Sequence, residues 1–354
     1  MTLSLCMIVK NEEQTLDRCL NSCHEVFDEI IIVDTGSTDN TIAIAKKYTD
    51  KIYHFKWVDD FSLARNYSFS LATSQYVMWL DADDIINKTE LEKLKNLKLK
   101  LDGNINTIML KYAIAFDENN TPTFSYYRER IFKTCDNPKW EDPVHEAIVP
   151  YGNILYENIT IEHRKINQRT NPKRNLKIYE ALVKNKVDLK PRQLFYYARE
   201  LYFNSYYKKA IKVFKQFLLT TNGYKENYIE ACLNISKCYQ LIKDNKNALE
   251  WLFKSFYFDL PRAEILCEIG DIYIRELNYQ SAIYYYKLAL QCQRNLKNGG
   301  FVLNDCYDFV PYLQLCVCYY YIGDFELSKQ YHILAKQLKP NNPIVIANDK
   351  IFNK

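Results

Sequence analysis

Tyr76-Val77-Met78-Trp79-Leu80 runs directly into Asp81-Ala82-Asp83-Asp84. A short apolar run without polar alternation reads as a strand buried on both faces, as in a parallel sheet covered by helices. Three carboxylates behind it do not serve packing, because neighbouring anions repel. A divalent cation with hard oxygen ligands relieves that repulsion. Ligands of open α/β sheets bind outside the carboxyl ends of the strands, so chemistry is expected at this strand end. The plainer alternative is an acidic turn capping a helix that begins near Lys88.

Two upstream strands end in the same way. The apolar run 3–9 leads into Lys10-Asn11-Glu12-Glu13, and the β-branched run 29–33 into Asp34-Thr35-Gly36-Ser37-Thr38-Asp39-Asn40-Thr41. Leu16, Cys19, Leu20 and Cys23 carry helical spacing over 12–24. Residues 41–48 and 61–72 read as further helices, and 51–55 as a short strand. This alternation predicts right-handed βαβ units. Gly36 permits a sharp turn, after which Ser37, Thr38 or Asp39 is expected to cap the next helix. Asn11 is expected to cap the first helix, with Glu12 and Glu13 in its opening turn. Asp34 ends a buried strand and is expected to face the same crevice as Asp81.

From about Asn104 the pattern changes. Residues 105–116 and 123–133 read as a strand pair around Asp117-Glu118-Asn119-Asn120, and short strands follow Trp140 as far as His163. The polar, basic stretch 165–173 reads as a linker. Beyond Asn175 everything is helical and an internal repeat appears. Ala210, Ala248, Ala282 and Ser328 open four second helices, with Ala198, Ser236, Gly270 and Cys316 twelve residues earlier and Leu201, Tyr239, Tyr273 and Tyr319 nine earlier. Phe214, Leu252, Tyr286 and His332 follow four residues later. Small residues at helix crossings with large ones a turn away resemble a tetratricopeptide (TPR) array over 192–343. Spacings of 38, 34 and 46 depart from a regular repeat, and an insertion is expected around Asn298-Gly299-Gly300. The expected domains are 1–173 and 174–354.

Composition agrees with two domains, since 354 residues at roughly 100–200 per domain allow about two. The balance of 47 Lys+Arg against 43 Asp+Glu argues against a nucleic-acid binder. The 11 cysteines are scattered without a CxxC pair, which points to reduced thiols in a cytoplasmic protein. No apolar run reaches a membrane span, and the N-terminus reads as a strand because it lacks a basic leader. The 30 tyrosines must occupy half-buried faces. Several, including Tyr196, Tyr197, Tyr206, Tyr207, Tyr284, Tyr285, Tyr320 and Tyr321, are expected on a half-wet groove or a subunit interface. Tyr331, Ile333, Leu334 and Ile344-Val345-Ile346 leave the last repeat apolar, which suggests a homodimer.

In order and spacing, residues 4–13 (SLCMIVKNEE), 30–41 (IIIVDTGSTDNT), Ala64-Arg65-Asn66 and 76–84 (YVMWLDADD) resemble family 2 glycosyltransferases of the GT-A fold. That is a Rossmann-like, mostly parallel α/β domain, and the resemblance covers about 1–165. With a TPR-like tail the chain resembles the subgroup that includes sublancin-type peptide S-glycosyltransferases. The resemblance implies that the backbone around Val9, with Glu12 and Asp34, holds the base and ribose of a nucleotide sugar, UDP-linked. Arg65 is implied near the nucleotide or its diphosphate, Asp81 at the ribose, and Asp83 on Mn²⁺ or Mg²⁺ with Asp84 as a helper. His163 is implied as a further metal ligand, although Arg164-Lys165 follows it in place of the family's glycine-containing stretch. An inverting transfer needs a general base on the acceptor side. Glu146 is the first candidate, then Asp142 and Glu141, with His145 orienting it. Arg128 and Arg130 are expected either at the diphosphate or in surface pairs. The processive Gln-x-x-Arg-Trp motif is absent, which argues against a chain-extruding polymerase.

Three classes of function stay open on the sequence. The first is a glycosyltransferase acting on a polypeptide through the TPR region, or on a cell-surface glycan or lipid-linked acceptor. The second is a TPR scaffold with a non-catalytic GT-A domain. The third, a nucleotidyltransferase, is disfavoured because no glycine follows the first strand.

Overall fold

β1 (Leu3–Val9) pairs in parallel with β2 (Glu29–Asp34), and β2 with β3 (Ile52–His54). On its other side β1 pairs in parallel with β4 (Tyr76–Trp79). The register sets Val9 beside Asp34 and Cys6 beside Trp79, so the carboxyl ends of three strands reach one edge. This computed structural model describes residues 1–117, 120–166, 173–294 and 302–352. Alternate residues of β1 feed opposite faces. Leu5 and Met7 pack with Leu16, Leu20, Ile32 and Leu94, while Cys6 packs with Val33, Phe69, Trp79 and Trp140. Both faces are dry, as the unbroken apolar runs require.

The sheet continues beyond β4. β5 (Asp84–Ile85), β6 (Thr107–Phe116), β7 (Pro122–Lys133) and β8 (Ile154–His163) complete the order β3-β2-β1-β4-β7-β6-β8-β5. β7 is antiparallel to β4 and β6, and β8 is parallel to β6. The two-residue β5 lies antiparallel to β8 and sets Asp84 opposite His163. Helices α1 (Leu16–Cys23), α2 (Thr41–Ala45), α3 (Phe61–Ser70) and α4 (Lys88–Lys100) are shorter than expected or match, and each begins near its expected place. The short strands expected after Trp140 are instead one bridge, Glu141–Ala147, followed by the ten-residue β8. Left-handed backbone at Asp142 (φ 74°) and His145 (φ 54°) interrupts any extended run there.

At the amino end of β2, Glu29 is buried and accepts hydrogen bonds from Ser4 Oγ, Thr73 N–H (2.9 Å), Thr73 Oγ1 (2.9 Å) and Lys51 Nζ. Burial pushes its carboxyl up, but these donors outweigh burial and bring it to about 2, against an ordinary 4.5. A lowered folded-state pKa contributes stability above the unfolded value and loses it as pH falls through the folded one. Glu29→Gln should therefore cost about 1–3 kcal/mol at neutral pH, the cost of leaving buried donors unsatisfied. The gap from wild type in thermal unfolding should shrink between pH 4.5 and about 2. A gap independent of pH would show that Glu29 acts by shape alone.

The chain separates into units Met1–Asn185 and Lys186–Lys354. The division falls after α5 (Arg174–Lys184) and not before it. Tyr179 on α5 donates a hydrogen bond to the Val144 carbonyl (3.4 Å), tying this helix to the first unit. Most of the expected linker and the insertion at 298–300 lie outside the described residues, as does part of the turn at 117–120.

The second unit is helical repeats. The pairs are α6 (Pro191–Phe203) with α7 (Tyr207–Leu218), α8 (Lys225–Leu241) with α9 (Asn245–Lys254), α10 (Ala263–Arg275) with α11 (Tyr279–Ala289), and α12 (Phe309–Tyr321) with α13 (Phe325–Leu338). α14 (Pro343–Phe352) follows them. All eight small crossing residues are buried, and a Cβ on Gly270 would lie 2.7 Å from the Tyr286 ring. The carbonyls of Leu201, Tyr239, Tyr273 and Tyr319 each accept from the N–H five residues on, at 2.9–3.0 Å. Each of these closing turns passes through a left-handed residue: Ser205, Lys243, Leu277 or Gly323. One turn geometry, repeated four times, is what the sequence spacing encodes. Leu201 and Tyr319 are buried, whereas Tyr239 and Tyr273 are half-exposed, Tyr273 stacking on Tyr285 with centroids 5.6 Å apart. Tyr197 belongs to the core, while Tyr206, Tyr284, Tyr320 and Tyr321 are exposed. Val345 is buried, but Ile333, Leu334, Ile344 and Ile346 stay open. Among the described residues no helix is long and apolar enough to cross a membrane.

Candidate active site

The loops behind β1 and β2 are laced together. Asn11 adopts a left-handed backbone (φ 55°) and donates its N–H to Ser37 Oγ (3.0 Å), while its side chain accepts from Thr38 N–H (2.8 Å). Glu12 N–H donates to Thr41 Oγ1 (2.7 Å), and Glu13 accepts from Asn40 N–H (3.1 Å). Asn11 and Glu13 therefore serve the neighbouring loop and not a cap on α1. Asp39 accepts from Thr41 N–H (3.0 Å), the capping role expected near there. Asp34 is buried and accepts from Gly36 N–H (3.1 Å) and Ser37 N–H (3.0 Å). Gly36, at φ 105°, makes that closed turn accessible.

Beside these loops lies a cleft of about 370 Å³. Of the residues singled out from sequence, Val9, Glu12, Arg65, Asp81, Asp83, His145, Glu146 and His163 line it; Asp34 and Asp142 do not. Arg128, expected at the diphosphate or in a surface pair, lines it too, as do Thr35, Trp57, Phe61, Tyr112 and Arg174. Burial raises the Glu12 carboxyl, partly offset by a hydrogen bond from Thr15, and the nearby Asp83, Asp81 and Asp39 raise it further.

Asp83, Asp84 and His163 offer donor atoms that all lie within 4.8 Å of one another. His163 Nδ1 is 3.2 Å from Asp83 Oδ1 and 3.4 Å from Asp84 Oδ1. Burial lowers the imidazole's pKa, but hydrogen bonds that it donates to the Asp83 and Asp84 carboxylates, with their charge, outweigh burial and push the group up to about 9. Two carboxylates with one imidazole form a donor set that fits Mn²⁺ or Mg²⁺. Asp84 is fully buried and already committed. It accepts from Asp81 N–H (3.0 Å), Tyr112 Oη (2.9 Å) and Arg130 Nη1 (3.0 Å). It fixes the turn that presents Asp81 and Asp83. Arg130 is likewise fully buried, its guanidinium 3.8 Å from the Trp79 ring and 4.3 Å from Tyr112, so it belongs neither to a surface pair nor to the cleft wall.

Arg65, on α3, lies 4.8 Å from the ring centroids of both Trp79 and Trp140, which themselves meet edge to face at 5.1 Å. Its Nη2 donates to Asp81 Oδ1 and its Nε to Glu146 Oε1, both at 2.7 Å. Burial would raise the Asp81 carboxyl, but the charges of Arg65 and Arg130 hold it well below the usual range. Arg128 donates to the Glu146 carbonyl (3.1 Å) and lies over Trp79. The His145 ring stacks on Tyr179 at 6.5 Å.

Residues 4–139 match the family described as Glycosyl transferase family 2. The N-terminal domain is a family 2 glycosyl transferase domain. That match includes Arg65, Asp81 and Asp83, but stops before Glu146 and His163. A TPR repeat-containing protein of Synechococcus elongatus is 37% identical over 147 residues, 41% of this chain and 35% of that protein. The SPbeta prophage-derived glycosyltransferase SunS of Bacillus subtilis is 30% identical over 280 residues, 74% of this chain and 63% of SunS. The chain thus spans less than two thirds of the length of either relative. Among solved structures, the 1–349 piece of S. aureus TarS covers 73% of this chain and 91% of its own length, at 15% identity and a TM-score of 0.37.

Two residues that contact candidate site side chains were not marked by the sequence. Tyr112 is one tyrosine among 30, and only the pairing of β6 with β8 brings its hydroxyl to 2.8 Å from His163 Nδ1. Trp140 opens the candidate base segment, but nothing local signals that its ring closes over Arg65.

Proposed function

We propose that this protein is an inverting, metal-dependent glycosyltransferase that moves a sugar from a UDP-linked donor to a polypeptide side chain. One observation carries the reading: Asp83 and His163, two members of a metal-type donor set, line the same cleft of about 370 Å³ as a buried candidate base, Glu146. Asp83 and His163 would hold the cation, with Asp84 behind them. When bound, that cation neutralises the charge that develops on the leaving diphosphate. Val9, Glu12 and Thr35 form the donor wall, Asp81 the ribose contact, and Asp34 acts by shaping the turn beside it. Glu146 takes the proton from the acceptor, which attacks the anomeric carbon from the face opposite the nucleotide. The bond from that carbon to the diphosphate oxygen breaks, and its electron pair leaves with the diphosphate.

The helical repeats support a polypeptide acceptor, because stacked helix pairs make a continuous binding surface and Tyr206, Tyr284, Tyr320 and Tyr321 remain open. A second copy of the chain is the partner proposed for the exposed Ile333, Leu334, Ile344 and Ile346. The cytoplasm is proposed as the setting, in keeping with the free thiols.

The test is a panel of nucleotide sugars with Mn²⁺, scored by release of the nucleoside diphosphate, with light scattering on the same preparation for the second copy. One UDP-sugar should turn over slowly without an acceptor. If UDP with Mn²⁺ raises the melting temperature but no donor turns over, the domain is a binding module and the enzymatic reading fails.

A further inference from the structure

Arg65 has an unusual setting for a cation in a donor site. It packs beside two indoles that meet edge to face, and its Nε and Nη2 are committed to carboxylates from different parts of the chain. Asp81 belongs to the strand end on the donor side. Glu146 belongs to the irregular segment after Trp140, whose backbone passes twice through left-handed residues. Glu146 itself is held at both ends, its carbonyl by Arg128 and its carboxylate by Arg65, while Phe61 N–H and Tyr179 Oη hold the carbonyls of Pro143 and Val144.

A guanidinium is rigid, and its N–H fork fixes the directions of the groups it binds. The side chain is buried against the edge-to-face pair of Trp79 and Trp140, which limits its freedom to swing away. The spacing between one oxygen of Asp81 and one of Glu146 is therefore set by a covalent template, while each carboxylate keeps its second oxygen for a ligand. We propose that Arg65 is a positioning residue: it acts through Glu146, holding the base in register with the donor-side Asp81, and does not grip the donor. This rests on the reading of Glu146 as the base. Reactions held in a near-attack geometry lose about 10²-fold for a misplacement near 1 Å, so the template governs rate more than affinity.

The experiment uses the full-length chain, the UDP-sugar identified by the panel, and calorimetry with UDP and Mn²⁺. Arg65→Gln should lower kcat by about 10²-fold and change KM and UDP affinity little. Combining it with Glu146→Gln should cost no more than Glu146→Gln alone, because groups acting as a unit are non-additive. Arg65→Lys keeps the charge without the fork and should rescue folding but not kcat. In Arg65→Ala, methylguanidinium should restore turnover saturably and methylammonium should not. UDP affinity that falls in step with kcat, or losses that multiply in the double variant, would overturn the proposal. Full turnover by Glu146→Gln would instead sink the base assignment, and it is read independently of any Arg65 variant.

Discussion

Glu146→Gln should lower sugar transfer by about 10²–10⁴-fold, the usual range for losing a general base, while UDP affinity in the presence of Mn²⁺ stays near wild type. The amide keeps the shape and the capacity to accept from Arg65 Nε, so the cleft should hold its geometry. What disappears is the ability to take a proton. Glu146 is favoured over its neighbours by position: it is buried and lines the cleft, whereas Glu141 is exposed and its backbone pairs with Ala147, and Asp142 lies off the wall. Side-by-side rates for the wild type and variant, with calorimetry on both, settle the assignment. Wild-type turnover in the variant would remove Glu146 from the chemistry. A thiol acceptor would shrink the effect, because a thiol with a pKa of about 8.5 needs less help to ionise.

Asp83→Asn should abolish the metal-dependent part of UDP binding and cut turnover by about 10³-fold, in keeping with the several kcal/mol a cation supplies to a leaving phosphate. The fold should survive. The Asp83 side chain is partly exposed, and its backbone carbonyl still accepts from Arg164 N–H (2.9 Å). Asp84→Asn is the informative contrast. That carboxylate pairs with Arg130 where both side chains are fully buried, so breaking it should cost stability, about 3–5 kcal/mol for a buried pair deprived of one partner. Calorimetry with UDP, with and without Mn²⁺, and thermal unfolding of both variants separate ligand from scaffold. Unchanged Mn²⁺ dependence in Asp83→Asn would sink the metal assignment.

The parallel half of the sheet was legible because β1, β2 and β4 are apolar on both faces and end in polar clusters, so burial and strand end coincide in one pattern. The repeat was legible because each turn needs the same small and large residues at the same offsets. Partnership was not legible. Asp34, Asp81, Asp83 and Asp84 look alike in the sequence. Asp34 faces its own turn, Asp84 faces Arg130, and Asp81 and Asp83 face the cleft. The directions of Asp83 and Asp84 depend on the two-residue β5, too short to carry any periodicity, and the placing of Glu146 follows left-handed residues at 142 and 145. The boundary was obscured for a related reason: α5 carries the same helical pattern as the repeats, and tertiary contacts such as Tyr179 to Val144 and Arg174 over Phe61 assign it to the first unit.

The pairing of β5 with β8 has a consequence for synthesis of the chain. Asp83 and Asp84 leave the ribosome about eighty residues before His163, and His163 ends the last strand of the sheet. Contacts of such long sequence separation close late in folding. A nascent or truncated chain lacking β8 holds the aspartates without their imidazole, and without the strand that orients them. The Asp83–Asp84–His163 cluster therefore assembles only once β8 has joined the sheet, which ties the make-up of the cleft to completion of the fold around it.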